Sequence, residues 1–320
     1  RYEITYGLEH GRYSGVDNNN YTDHSLNGQL SWSPSIRHML DVLVSEARGH
    51  DERTVDTEAR GNGGTTVDST SSLDKTKERE LSANYTFGSE GARGRLTLGF
   101  ATNQLRYTTN QATTRGLEAD TDTINAGFSL GIGANTRALL TVRSSENNFL
   151  TNNENDRKDT SYTLGVEWGI SELVQAAISL GRVNNDLLNT AGDTSSSVGE
   201  ISIEWTPLEH SVFTLTGNEN TENSENGIGL FVERSRFGFD WDYAVNDRFS
   251  IKTTHGRQQD TFIGANNRVD KLNESQVQFT YEFRRWMSLG LTLAREKRTS
   301  TEAALDYDNN KVALFINSSL

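Results

Sequence analysis

The chain has no cysteine and little proline, with 0 Cys and 2 Pro among 320 residues. The absence of cysteine excludes a disulfide scaffold, a thiolate metal site and a covalent haem attachment motif. Hydrophobic residues make up 33% of the chain, which is low for a soluble domain of this length. No run approaches the roughly 20 apolar residues of a membrane-spanning helix. We therefore expect neither a disulfide-rich domain nor a helical membrane protein.

Basic charge is also scarce, since 31 Lys and Arg face 44 Asp and Glu and give a net charge of −13. Nucleic-acid binding needs basic patches, so the sequence predicts no nucleic acid partner. The low hydrophobic content would suit disorder, but 9% aromatic residues in regular alternation is not typical of a disordered chain. There is neither an initiator methionine nor a signal peptide, so we expect a processed or truncated form.

Apolar residues recur at every second position along the whole chain. Ile124, Ala126 and Phe128, for example, alternate with Asn125 and Gly127. About 16 such segments follow one another, each long enough for a tilted membrane strand of about 9–11 residues. No long stretch shows the 3.6-residue period of a surface helix. The sequence therefore predicts an all-β protein.

Short and long connections alternate between these segments. Seven short turns and eight long polar links would leave both termini on the short-turn side. Outer-membrane barrels have this arrangement, with tight periplasmic turns and long extracellular loops. We predict a single domain over residues 1–320, a transmembrane antiparallel up-and-down β-barrel of about 16 strands, within 16–18. The short turns lie near Pro34, Glu90, Asn135, Ser171, Pro207, Asn246 and Arg285, and the long links cover 17–23, 46–77, 103–120, 145–159, 184–196, 218–228, 257–271 and 297–310.

Every tryptophan in the sequence lies close to a short turn. Amphipathic rings favour the headgroup layer of a membrane, so this placement predicts an aromatic girdle at the periplasmic boundary. A soluble β-sandwich or propeller would also alternate, but it has no reason to place its tryptophans at one end. The girdle residues are Trp32, Trp168, Trp205, Trp241 and Trp286, and looser candidates for an opposite girdle are Tyr107, Phe149, Phe231 and Phe262.

Residues opposite the apolar stripe would line the inside of the barrel. They are largely Ser, Thr, Gly, Asn and Gln, with charges of both signs. About 16 strands leave an aqueous channel unless something plugs it, and mixed wall charges tune which solutes pass. The charges are either solvated and mutually paired, or part of a dedicated binding track. The predicted pore-lining residues are Glu3, Asp41, Glu80, Arg95, Arg137, Arg143, Glu167, Arg182, Glu200, Glu204, Arg234, Arg236, Asp240, Lys252, Glu282 and Arg284.

Catalytic and metal-binding patterns are weak in this sequence. Six histidines are scattered, and no nucleophile can be placed beside a base, so we expect no enzyme activity. No Cys or paired-His metal motif is present, and we expect no cofactor and no metal site. The expected surroundings are outer-membrane lipid and lipopolysaccharide, with divalent ions bridging the acidic long links to the anionic lipopolysaccharide.

Two short stretches carry a family resemblance: Tyr21-Thr22-Asp23-His24, which opens the second strand, and Pro34-Ser35-Ile36-Arg37-His38, which makes the first short turn. With their flanking strands they resemble the putative β-barrel porin 2 family, whose members are associated with capsular and exopolysaccharide gene clusters. The resemblance implies a barrel of 16 to 18 strands that lets a secreted polysaccharide cross the outer membrane. It also implies a periplasmic polysaccharide-export protein as partner. The family offers no catalytic residues to transfer.

Three functions follow from this reading. The leading hypothesis is a channel that exports a secreted polysaccharide through a water-filled lumen. A general diffusion porin for small hydrophilic solutes would have the same wall, and a constriction loop, with the 46–77 link as candidate, would favour it. A structural barrel sheath around a periplasmic or electron-transfer partner is the third. In each case we expect the outer membrane of a Gram-negative bacterium, with both termini periplasmic.

Overall fold

The computed structural model describes residues 1–12, 20–51, 73–151, 153–189, 193–223, 229–264 and 268–318. The chain forms sixteen β-strands in one antiparallel sheet, as the alternating pattern predicts. Each strand pairs with its neighbours in sequence order, from the first strand to the last. Because every connection joins adjacent strands, the topology is a simple up-and-down meander.

The strands are 10 to 16 residues long. The first eight are β1 (Tyr2–Gly11), β2 (Tyr21–Ser35), β3 (His38–His50), β4 (Lys75–Phe87), β5 (Gly94–Tyr107), β6 (Ala119–Gly131), β7 (Thr136–Phe149) and β8 (Arg157–Ser171). The other eight are β9 (Val174–Leu187), β10 (Thr194–Leu208), β11 (Ser211–Glu222), β12 (Phe231–Asn246), β13 (Phe249–Ile263), β14 (Val269–Arg284), β15 (Met287–Ser300) and β16 (Tyr307–Ser318).

The short and long connections alternate as expected, but the strands run further into the long links than predicted. The link predicted over 257–271, for example, shrinks because β13 continues to Ile263 and β14 begins at Val269. The apolar alternation fades towards these ends, while the hydrogen-bonded ladder between neighbouring strands continues. A pattern that detects only the apolar stripe therefore places the strand ends too early. Helical structure in the described part is limited to short turns such as Gln111–Thr114 and Ala303–Leu305.

Residues that lie opposite each other on neighbouring strands point to the same face of a sheet, so the register divides the chain into two faces. Phe128 lies opposite Leu96 on one side and Leu140 on the other. This apolar face is open, since Leu164 and Leu180 are each 68% exposed. The opposite face carries mainly hydroxyls, amides and charges, and we call it the polar face. A sheet that exposes its apolar side and packs polar groups on the other is inverted relative to a soluble protein.

The first and last strands each have a partner on one edge only. Among the described residues, β1 pairs with β2 and β16 pairs with β15, and the ladder does not continue from β16 to β1. Their apolar side chains are accordingly the most open, with Tyr2 81% and Leu314 75% exposed.

The tryptophans lie towards the short-turn end of the sheet. Trp205, Phe213, Trp241 and Tyr243 form a continuous stack on the apolar face, with successive ring centroids 5.2, 5.9 and 5.5 Å apart. Trp32, Trp168 and Trp286 are 58, 50 and 54% exposed in comparable positions beside other short turns. These are surroundings in which a ring can contact lipid headgroups.

The opposite girdle is different from the prediction. Tyr107, Phe149, Phe231 and Phe262 are all buried, with 0 to 9% of each residue exposed. The register places three of these rings on the polar face, where Tyr107, Phe149 and Phe262 lie opposite Thr76, Ala119 and Val232. The ring of the fourth, Phe231, is covered by the guanidinium of Arg157. The prediction that these rings face lipid is wrong for that reason. No helix in the described ranges is long and apolar enough to span a membrane.

Candidate functional site: the polar face and its long-link end

The predicted pore-lining residues lie mostly on the polar face. Their direct partners across the strands are themselves polar in many cases: Arg143 lies between Asn125 and Ser161, and Asp240 lies between Thr214 and Thr254. The residues that the register assigns to this face are Glu3, Asp41, Glu80, Arg95, Arg137, Arg143, Glu167, Glu200, Glu204, Arg234, Arg236, Asp240, Lys252 and Glu282.

Arg182 is a correction to this set. It lies directly opposite Tyr162 and shares a strand face with Leu180, so the register places it on the apolar face. It sits near the long-link end, where both faces carry polar residues and alternation no longer distinguishes them. Its neighbour Val183, only 4% exposed, takes the place on the polar face instead.

Arg284 is a second correction, with a different cause. The register shifts between Glu282 and Arg284, which puts Arg284 opposite Met287. Met287 begins the apolar row that continues through Leu289. A β-bulge at a short turn moves one residue out of the alternation, and no feature of the sequence marks it.

A cavity of about 1100 Å³ lies at the short-turn end. Predicted pore-lining residues from three strands contribute to it: Arg137, Glu167 and Glu204. Arg137 is fixed in place because its guanidinium donates to the carbonyl of Ala92 at 3.0 Å and to Ser129 Oγ at 2.9 Å. Part of the hydrogen-bonding capacity of Arg137 is therefore used by neighbouring groups of the wall.

The long-link end of the polar face is narrowed by contacts between distant strands. Arg157, at the start of β8, is only 1% exposed. It donates from Nε to Asp159 Oδ1 at 2.6 Å and from Nη2 to Asn223 Oδ1 at 3.1 Å. Asn223 Nδ2 in turn donates to Asn147 Oδ1 at 3.1 Å. The guanidinium carbon also lies 4.9 Å from the ring centroid of Phe231, within cation–π range. We call these five residues the mouth cluster.

The end of β11 reaches β7 and β8 because it separates from β10. β10 and β11 pair only from Gly199 and Glu219 towards the short turn. Beyond Glu219, β11 is held by β12 alone, and its continuation leans over the polar face. Glu222 anchors this segment by accepting hydrogen bonds from Arg234 and Arg236, the latter at 2.8 Å.

The arginines of β12 therefore hold an in-folded segment through paired charges. Arg234 also donates to both oxygens of Asp260, at 2.7 and 3.0 Å. A similar group lies at the start of β14, where Arg268 donates to Asp270 Oδ2 at 2.6 Å and Arg298 of β15 donates to the same oxygen. The candidate constriction within 46–77 falls largely on residues 52–72, outside the described part of the chain.

Beneath the mouth cluster is a second cavity of about 510 Å³, which we call the chamber. β11 closes one side of it, and strands β4 to β10 form the remainder. The chamber holds two predicted pore-lining residues, Glu80 and Arg143. Among the others that line it are Thr123, Arg157, Asp159, Asn220, Thr221 and Glu222.

The mouth cluster could not be found by reading the sequence. Asn147 and Asn223 are 76 positions apart, and Arg157 and Asn223 are 66 apart. Both asparagines fall inside or beside long polar links, where they look like ordinary loop residues. The one available signal is the Arg234–Arg236 pair, which marks where the in-folded segment is anchored.

In the described part of the chain, several histidines lie beside a carboxylate or a hydroxyl group. No group of three or more His, Cys, Asp or Glu is placed to hold a metal ion there. His50 Nδ1 lies 2.8 Å from Asp23 Oδ2, and the other close neighbour of its ring is Tyr21, with centroids 4.0 Å apart.

The inverted sheet, the alternating turns and the tryptophans at one end define the class of protein as an outer-membrane β-barrel. The chain belongs to the family described as Putative beta-barrel porin 2, whose model matches residues 15–318. The resemblance carried by the first short turn and second strand is thereby confirmed at the level of the family. No curated protein matches the chain.

Solved outer-membrane structures share the fold at very low identity. The FrpB iron transporter from Neisseria meningitidis matches 93% of this chain, with a TM-score of 0.56 and 11% identity. The copper transporter OprC matches 100% of it, with a TM-score of 0.59 and 7% identity. The siderophore receptor PirA from Acinetobacter baumannii matches 98%, with a TM-score of 0.54 and 8% identity. The matches cover 58%, 62% and 68% of those longer chains, so this chain spans less than two thirds of the first two.

Proposed function

We propose that this protein is the outer-membrane channel through which a secreted polysaccharide, an exopolysaccharide or capsule, leaves the cell. The observation that supports it is the polar face with a cavity near each end, about 1100 Å³ at the short turns and about 510 Å³ beneath the mouth cluster. Hydroxyls, amides and paired charges can exchange hydrogen bonds with a hydrated sugar chain without binding it tightly. Short turns and both termini then face the periplasm.

Partners follow from this proposal. A passive channel needs a driving force, which synthesis and a periplasmic polysaccharide-export protein would supply at the short-turn end. The exposed apolar face contacts outer-membrane lipid, and the long-link end contacts lipopolysaccharide. No enzyme activity and no cofactor are required of the chain itself.

A strain without the gene tests the export function. We expect polysaccharide outside the cell to fall and polysaccharide in the periplasm to rise, and a plasmid copy of the gene to restore both. Unchanged secretion of polysaccharide would contradict the proposal.

A diffusion porin for small hydrophilic solutes is the second candidate, and the mouth cluster favours it. The contact from Arg157 to Asn223 narrows the long-link end, as a constriction does in a pore for small molecules. Slower uptake of small sugars by the deletion strain, together with normal polysaccharide secretion, would support this candidate instead.

A further inference from the structure

Four basic residues lie together on the apolar face, at the long-link end of β3 and β4. Arg48 lies directly opposite Lys77, and Glu46 lies opposite Arg79 one row nearer the short turns. Lys75 begins β4 one row further towards the long link. We call Arg48, Lys75, Lys77 and Arg79 the basic patch. It concentrates positive charge on one small area of a chain whose net charge is −13.

The basic patch borders the apolar belt that contacts lipid. Val44 and Leu81 lie opposite each other on the same face and are 54 and 42% exposed. The next row outward contains Glu46 and Arg79, about 7 Å further along the strands. Lysine and arginine can lay their stems along apolar surface and hold their charged ends at the level of lipid headgroups. The patch therefore lies where the phosphates of a lipid leaflet would be.

The positive charge of the patch is neutralised only in part. Three of its cations share the carboxylate of Glu46, with nitrogen–oxygen distances of 2.9 Å for Arg48, 3.5 Å for Lys77 and 2.9 Å for Arg79. The side chains of Arg48 and Arg79 are 62 and 55% exposed, so their guanidinium groups are open to a second anion. Guanidinium binds phosphate especially well, because two parallel N–H groups can donate to two phosphate oxygens.

The two boundaries of the belt differ on these strands. At the short-turn end, the same face carries Trp32 and Tyr85, on either side of Leu40. At the long-link end it carries the basic patch, which ends at β5, because Arg106 is already paired with Asp120 at 2.6 Å. Aromatic rings at one boundary and cations at the other fit a bilayer whose leaflets differ in charge. In the outer membrane, the phosphates of lipopolysaccharide make the outer leaflet strongly anionic.

We propose that the basic patch binds the phosphate groups of one lipopolysaccharide molecule in the outer leaflet. Arg48 and Arg79 donate to the phosphate oxygens, and the two lysines add positive charge beside them. The acyl chains of the lipid lie along Val44 and Leu81. This inference rests on the proposed orientation, in which the long-link end faces outward, and it is independent of the solute that crosses the lumen.

Native mass spectrometry of the detergent-solubilised protein counts the lipids that the protein retains and so tests the site. The probe is lipid A, the phosphorylated and acylated anchor of lipopolysaccharide. We expect saturable retention of lipid A by the unmodified protein, and weaker retention of lipid A from which both phosphates have been removed. An equal concentration of inorganic phosphate should not displace lipid A, because the acyl chains contribute part of the binding.

Three variants separate the patch from a general effect of charge. Arg48→Gln combined with Arg79→Gln should weaken retention of lipid A about threefold to thirtyfold, the effect of losing two exposed ion pairs. Glu46→Gln should strengthen retention, because this carboxylate competes with phosphate for the same three cations. Arg248→Gln combined with Arg285→Gln is the matched control, because both arginines are exposed at short turns and the same number of charges is lost. Retention by this control should be unchanged.

Several results would overturn the inference. Equal retention of lipid A with and without its phosphates would do so, as would full retention by the variant that lacks Arg48 and Arg79. Weaker retention by Glu46→Gln would mean that the carboxylate, and not the cations, holds the lipid. Displacement of lipid A by an equal concentration of inorganic phosphate would indicate a site for free phosphate. None of these results depends on polysaccharide secretion by the deletion strain, so failure of this site and failure of the export function are distinguishable.

Discussion

Phe128 and Ser129 are neighbours on β6 that meet opposite surroundings. Phe128 is 45% exposed and lies between Leu96 and Leu140, while Ser129 accepts a hydrogen bond from Arg137 at 2.9 Å. One peptide bond therefore separates a position that contacts lipid from one that contacts polar groups and water. A charge has very different energies in the two places, since lipid cannot solvate it.

An arginine scan at two such pairs measures this difference. We expect Phe128→Arg and Leu291→Arg each to lower the free energy of unfolding by about 2–4 kcal/mol in lipid vesicles, because both positions are on the apolar face. Ser129→Arg and Thr292→Arg, on the polar face, should have mild effects. Denaturant titration of folded protein in vesicles gives the values. Similar losses at all four positions would mean that the assignment of the faces is wrong.

Arg182 shows the limit of predicting from the sequence which face of the sheet a single residue is on. Its face was inferred from its charge, and the charge was misleading because β9 has already passed the apolar belt at that point. In the belt, where Val174 to Leu180 alternate cleanly, the same reasoning gives the correct face. Alternation identifies the face of a residue only within the apolar belt, where the outward side chains contact lipid.

At the scale of strands, the sequence predicts their number, type and order but not their ends. The sixteen segments and the alternation of short and long connections are confirmed. The ends were misplaced because backbone hydrogen bonds do not depend on side-chain polarity. The part of each strand beyond the apolar belt is therefore invisible to a hydropathy pattern.

The pairing of β8 with β9 depends on a glycine. A Cβ atom added at Gly181 would lie 2.0 Å from the carbonyl oxygen of Tyr162, closer than real Cβ atoms come to backbone. Gly127 is on the same polar face, but there the nearest atom, Thr97 Cβ, would be 3.8 Å away. The same substitution at the two glycines should therefore have different effects on stability.

Adding one methyl group at each glycine tests this contrast. Gly181→Ala should force β8 and β9 apart and destabilise the fold by about 1–3 kcal/mol, the usual effect of overpacking. Gly127→Ala should leave stability unchanged or slightly raised. The readout is the temperature at which the folded band disappears from a detergent gel run without boiling. Equal temperatures for the two variants would show that the strands have room at Gly181.

At the scale of the whole molecule, the outer edges of β1 and β16 decide whether the sheet is stable in a bilayer. In hydrocarbon, each unpaired backbone N–H or C=O group is unfavourable by several kcal/mol, so an open sheet edge does not persist in a bilayer. Both strands display apolar side chains suited to lipid, such as Ile4 and Leu314 at 74 and 75% exposure. In the membrane these two edges must therefore be paired.

Hydrogen–deuterium exchange in lipid nanodiscs measures that pairing directly. Amides of β1 and β16 should exchange as slowly as those of β2 and β15, because every N–H in the hydrocarbon has a partner. Mass spectrometry of peptides covering 2–11 and 307–318 reports the rates. Fast exchange confined to these two peptides would contradict closure of the sheet in the membrane.

Of the candidate site, only the residues that line the polar face could be predicted from the sequence. Glu80 and Arg143 follow from local alternation, since their faces depend on the residues beside them. The mouth cluster depends on β11 separating from β10 and reaching β8, a long-range event set by packing. Asn223 and Arg157 meet for that reason, and no local pattern encodes their contact.

The position of the tryptophans gives the protein a built-in optical reporter. Trp205 and Trp241 lie in an aromatic stack on the apolar face, and Trp32, Trp168 and Trp286 are exposed near other short turns. Indole fluorescence therefore originates almost entirely from one leaflet of the bilayer. Brominated lipids confined to that leaflet would quench it and so read out the direction in which the protein is inserted.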